Sequence, residues 1–82
     1  MFLAKVYVTL KPSVNDPQGL TIMGGLRSLG FQSVSDVRAG KYLEVRLQET
    51  ERTQAEDRVR EMCDKLLANP VIEEYRFELV EE

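Results

Sequence analysis

Near the start of the chain, Val6, Val8 and Leu10 alternate with Lys5, Tyr7 and Thr9. This period of two marks a strand with one buried face, over about Phe2 to Lys11. Pro12 and Ser13 break the alternation. Asp16-Pro17 then reads as a helix start, with a carboxylate at the N-cap and proline at the first helical position, where its missing N–H costs nothing. Leu20, Met23, Leu26 and Leu29 recur at helical spacing, and Gly30 followed by Phe31 predicts a left-handed helix stop. Gly24 and Gly25 interrupt this helix at a cost of roughly 0.5–1 kcal/mol each relative to alanine. They fit either a weak helix or the close approach of another backbone.

Two short strands are expected next, over Ser33–Arg38 and Tyr42–Gln48, joined through Ala39-Gly40-Lys41. Leu43, Val45 and Leu47 alternate with Tyr42, Glu44 and Arg46, and Gly40 is expected to supply the positive φ of a tight hairpin. Thr53-Gln54-Ala55-Glu56 has the form of a capping box opening a second helix. Ala55, Val59, Met62, Cys63, Leu66 and Leu67 form its apolar stripe, which makes Leu66 an expected core position. Glu56–Arg60 and Glu61–Lys65 are favourable pairs four residues apart on the wet face. Asn69-Pro70 ends this helix, and Val71 to Val80 returns as a strand with Tyr75, Phe77 and Leu79 on one side.

The order β-α-β-β-α-β predicts an α+β, ferredoxin-like domain: a four-stranded antiparallel sheet with both helices on one face. Residues 1–82 form a single domain, without linker, repeat or low-complexity segment. If the helices cover Val6, Val8, Val45, Phe77 and Leu79, the open face carries Lys5, Tyr7, Thr9, Tyr42, Glu44, Glu74, Arg76 and Glu78. Tyrosines amid charges of both signs suit a self-complementary surface, and an antiparallel sheet also tolerates water on one face.

Length limits what such a domain can hold. A chain of 82 residues and 9.4 kDa buries about 63% of its unfolded surface, so its core is small and self-association is a plausible supplement. The net charge of −3 gives no basic footprint for nucleic acid. No apolar run approaches the roughly 20 residues that span a bilayer. The N-terminus runs straight into a strand pattern and lacks the form of a signal peptide, so the cytoplasm is the expected compartment.

Candidate chemistry is sparse. Histidine is absent, which removes the commonest general base and metal ligand. The serines at 13, 28, 33 and 35 have no base to activate them. Cys63 lies on an apolar stripe and is expected to be a buried thiol, and as the only cysteine it offers neither a disulfide nor a Cys-x-x-Cys metal site. The glutamates at 49, 51, 73, 74, 81 and 82 gather at strand and chain ends and read as solvated charge. Base stacking on the central strands has at most Tyr7 and Tyr42 to work with, in an acidic chain. A small-molecule-sensing regulatory domain of ferredoxin-like fold remains an alternative, because such domains bind ligands at helix starts and dimer interfaces without a sharp motif.

Asp16-Pro17-Gln18-Gly19, Gly30-Phe31, Asp36-Val37-Arg38, Gly40-Lys41-Tyr42 and Leu66-Leu67-Ala68-Asn69-Pro70-Val71-Ile72-Glu73 with Tyr75 closely resemble the PurS family, the small subunit of phosphoribosylformylglycinamidine synthase. The likeness runs through essentially the whole chain, with Gly24-Gly25 a departure from the better helix formers usual there. The resemblance implies a non-catalytic subunit in de novo purine biosynthesis. Its complex converts formylglycinamide ribonucleotide to the formylglycinamidine with ATP and glutamine-derived ammonia. The resemblance further implies that ATP and Mg lie on a large synthetase subunit and the cysteine nucleophile on a glutaminase subunit, with no cofactor on this chain. The small subunit would hold the two together, helping ammonia pass between them, and would associate with itself as a homodimer or tetramer. In that role Arg38, Lys41 and Tyr42 on the hairpin are candidate partner or dimer contacts. Gln18 and Gly19, beside free amides at the helix start, are candidates for a partner carboxylate, and Tyr7 and Arg76 are candidates on the open face.

Overall fold

The computed structural model describes residues 1–82. Its elements are β1 (Phe2–Leu10), α1 (Pro17–Ser28), β2 (Gly40–Leu47), α2 (Arg52–Met62) and β3 (Glu73–Glu81). A π-helical turn, Cys63–Leu67, continues α2 directly. The three strands form one antiparallel sheet in the order β2-β1-β3. The long apolar alternation of β1 places it at the centre, where both neighbours shield it, and Phe2, Ala4, Val6 and Val8 are all buried.

The expected four-stranded ferredoxin-like sheet is not formed. Residues 34–39, which include most of the anticipated strand Ser33–Arg38, run without a strand partner. The physical reason lies in their backbone and side-chain bonds, which go to Asp16 and to the chain after β1 and not to a neighbouring strand. Gly40 also departs from expectation. It opens β2 instead of turning a hairpin, and Gly30 is the residue with positive φ, at 100°. Gly40 is needed for space: a Cβ there would press on the Val8 carbonyl and the Thr9 methyl of β1.

Helix α2 covers the face that bears Val6 and Val8. Ala55, Val59 and Cys63, spaced four apart, are buried, and Val59 and Cys63 share one core with Ala4, Val6 and Val8 of β1 and Leu47 of β2. Thr53 does not cap this helix. It lies inside the first turn, and Glu51 occupies the N-cap without a side-chain bond. The anticipated pairs Glu56–Arg60 and Glu61–Lys65 do form, at 3.8 and 2.7 Å. Arg60 lies over the Phe77 ring, and Arg52 lies over Phe2 while donating to the Leu79 carbonyl.

The π turn overturns the expectation for Leu66. The Ala68 amide donates to the Cys63 carbonyl at 3.0 Å, five residues back, so one extra residue enters the turn. The buried register then steps from Cys63 to Ala68, and Leu66 is rotated outward to 83% exposure.

Helix α1 begins and ends as its sequence dictates. Asp16 caps it, and the Schellman pair closes it, with Gly30 N–H donating to Arg27 and Phe31 N–H to Leu26. It does not join α2 on the sheet, however, and Gly19 is its only buried residue. The expected layer of two helices on one face is therefore half-filled. The molecule is correspondingly extended, with a radius of gyration of 16.1 Å, against about 12 Å for a compact chain of this length.

Candidate interaction surfaces

The first cluster lies where α1 meets β2. One oxygen of the buried Asp16 accepts from the Gly19 amide at 3.0 Å, and the other accepts from the Ala39 amide at 2.6 Å. These two amides, with lesser help from Arg38, hold the Asp16 carboxyl below its ordinary pKa of 3.8, against the opposing effect of burial. Gly19 packs so closely on the Val37 carbonyl that a side chain would not fit. The helix start thus binds a carboxylate already, its own, so the Gly19 amide is not free for a partner. Arg38 is similarly engaged, donating through Nη2 to the carbonyls of Lys11 at 3.0 Å and Val14 at 2.8 Å. Asp16 and Arg38 together clasp the root of α1 to the sheet. Gln18 and Lys41 line a shallow concavity of about 260 Å³ beside this clasp.

A second cluster occupies the open sheet face. Strand register puts Tyr7 opposite Tyr42 on one side and Arg76 on the other. The tyrosine rings are 5.1 Å apart, and the Arg76 guanidinium lies 3.9 Å from the Tyr7 ring centre. Tyr42 donates its hydroxyl to Glu44 at 2.9 Å, and Arg76 meets Glu78 at 3.5 Å. Burial, then the Glu44 hydrogen bond and charge, push the Tyr42 phenol up to about 12. Three of the residues anticipated from sequence therefore form one row across three strands, ordered by stacking and cation–π attraction.

A third surface was hidden by the helical periodicity. Val45 of β2 and Met62, Leu66 and Leu67 line an apolar groove of about 440 Å³ beside α2, with Arg58, Glu61 and Lys65 at its rim. Leu66 belongs here because of the π turn, which a regular 3.6-residue repeat does not announce. The clasp was equally hard to foresee, since Asp16 and Ala39 are 23 residues apart and the capping signal at Asp16 concerns only its own helix. Cys63 is fully buried as expected, and desolvation pushes its thiol pKa up. No three Cys, Asp or Glu side chains converge as metal ligands would, and no helix is long and apolar enough to cross a membrane.

These features define a class: a small α+β domain that carries an ordered polar row and an apolar groove on its outward surfaces. The PurS family model, described as phosphoribosylformylglycinamidine (FGAM) synthase, matches residues 3–81. The phosphoribosylformylglycinamidine synthase subunit PurS of Bacillus subtilis is 49% identical over 81 residues, covering 99% of this chain and 95% of the relative. The solved B. subtilis PurS structure superposes with a TM-score of 0.89, at 49% identity, over 99% of this chain and all of that one. A chain of the PurLQS structure from Thermotoga maritima superposes at 0.86 with 30% identity, covering 98% of this chain and 99% of that one. The chain belongs to the PurS family of FGAM synthase subunits.

Proposed function

We propose that this chain is a non-catalytic subunit that bridges the synthetase and glutaminase subunits of FGAM synthase and assists ammonia transfer between them. The observation that carries the reading is the Tyr42–Tyr7–Arg76 row, which is exposed to partners yet already ordered within the sheet. Ordering a surface in advance lowers the entropy lost on association. The chain offers no histidine, and its lone thiol is buried with a raised pKa. In this reading the nucleophile, ATP and Mg all belong to the partner subunits, in the cytoplasm.

Self-association is part of the same proposal. The chain exposes 5774 Å², against about 5,000 Å² expected for a compact monomer of its mass. The excess fits a protomer that is completed by another copy, as a dimer or tetramer.

The test is to combine the chain with both partner subunits and measure ternary complex by light scattering. Tyr42→Ala with Arg76→Ala should weaken that complex and lower glutamine-dependent synthesis much more than synthesis driven by added ammonium, since free ammonia bypasses the glutaminase. Equal loss with both nitrogen sources, or loss with neither, would show that the open face is not the bridging contact.

A further inference from the structure

Strand β3 forms one edge of the sheet, and the ladder fixes which of its backbone groups are spare. The Lys11 amide donates to the Ile72 carbonyl and the Glu82 amide to the Met1 carbonyl, each at 2.9 Å. Between these bonds the register runs unbroken from Leu10 opposite Glu73 to Phe2 opposite Glu81. Bonding alternates along an antiparallel pair, so the even-numbered residues of β3 bond to β1 and the odd-numbered ones turn their N–H and C=O outward. Arg52 agrees with this parity, donating to the Leu79 carbonyl at 3.2 Å. At the other end, the Glu73 amide donates to the Asn69 carbonyl at 2.7 Å. Between those two, the Glu73 carbonyl, both groups of Tyr75 and Phe77, and the Leu79 amide have no partner in the chain.

From this edge we infer that β3 takes up an extended, basic segment of a different protein as a fourth strand, paired over Glu73 to Leu79. The inference goes beyond the bridging proposal, since it uses the backbone edge and not the open face.

Three observations select that occupant. The strand is nine residues long, without proline or bulge, and so lacks the usual devices that stop strand addition. Arg52 blocks it at one end alone. On the face beside α2, Tyr75 and Phe77 are half-buried and stack with ring centres 6.5 Å apart, which suits apolar residues at alternate positions of an incoming strand. Charge decides the rest. Strand β3 carries four glutamates and one arginine, and Arg76 is already taken by Glu78 and the Tyr7 ring. Lysine or arginine opposite Glu74 and Glu78 would therefore form favourable cross-strand pairs. A second β3 would bring four more glutamates instead. Strand β2, the other edge, offers Tyr42, Glu44 and Arg46 on its open face, with no excess of positive charge. The chain repels its own copy here and admits a basic strand.

The full chain, labelled with nitrogen-15, is titrated with the capped peptide Val-Lys-Val-Thr-Val-Lys-Val, which places its lysines opposite Glu74 and Glu78 in the antiparallel register. Binding should slow hydrogen exchange at the amides of Tyr75 and Phe77. The same peptide N-methylated at its valines, or carrying glutamate for lysine, should bind at least ten-fold more weakly. Glu74→Lys with Glu78→Lys should reverse the preference between the lysine and glutamate peptides. Absence of binding would overturn the inference. So would binding that N-methylation leaves unchanged, which is adhesion by charge alone, or protection that falls on Tyr42 and Glu44 of the opposite edge.

Discussion

The two helices reverse the usual relation between charge and burial. Helix α2 carries six charged residues among eleven, yet it is the one seated on the sheet. Helix α1 carries one among twelve and faces solvent over most of its length. Position explains α2: Ala55, Val59 and Cys63 form one narrow buried stripe, while Glu56, Asp57, Arg58, Arg60 and Glu61 pair on the outer face, with one another and with Lys65. Nothing within the chain explains α1. A Cβ added at Gly24 or Gly25 would meet no atom within 4 Å, so these glycines weaken the helix without relieving any internal contact. A helix so poor in charge and so little covered by its own domain is the least supported element of the protomer.

The contrast can be broken most forcefully at Val59. Val59→Ala empties a fully buried site under α2 and should cost about 2–3 kcal/mol of protomer stability. Leu66→Ala, on the groove, should change it by no more than about 0.5 kcal/mol, measured by denaturant at dilutions where the chain is monomeric. Equal effects would mean that the groove is already filled within one chain.

The clasp comes next. Because its amide partners depress the Asp16 pKa, the stability it contributes is complete above the ordinary value of 3.8 and is lost as pH falls through the lower folded value. Asp16→Ala should therefore lower the melting temperature at neutral pH and flatten its fall in acid, in melts followed between about pH 2 and 6. An acid profile unchanged from wild type would remove Asp16 as the anchor of α1.

Legibility from sequence followed the same division. Period-two alternation located β1 and β3 to within a residue or two, because those strands have one buried face and one open one. The caps of α1, Asp16 and Gly30, were readable since each acts through its own neighbours. The strand expected at Ser33–Arg38 failed because Arg38 and Ala39 bond to loop and cap groups distant in sequence. Leu66 was misplaced because an inserted π residue shifts the register without changing composition. The Tyr42–Tyr7–Arg76 row was half-legible: the alternation put all three on one face, and strand order, which the alternation does not contain, made them neighbours.

A smaller effect sharpens the comparison at Gly25, where an added Cβ would meet no atom of the chain. Gly25→Ala should stabilise α1 by about 0.5–1 kcal/mol through helix propensity, read from the protection of its amides in the monomer. Destabilisation instead would mean that another backbone packs against this face of α1.

Hydrogen exchange on the wild-type chain tests most directly whether α1 is the unsupported element of the protomer. Amides of residues 17–28 and 52–62 are followed by mass spectrometry at dilutions where the chain is monomeric. The account predicts that the amides of α1 exchange far faster than those of α2 around the buried Val59. Protection of α1 equal to that of α2 in the monomer would contradict it.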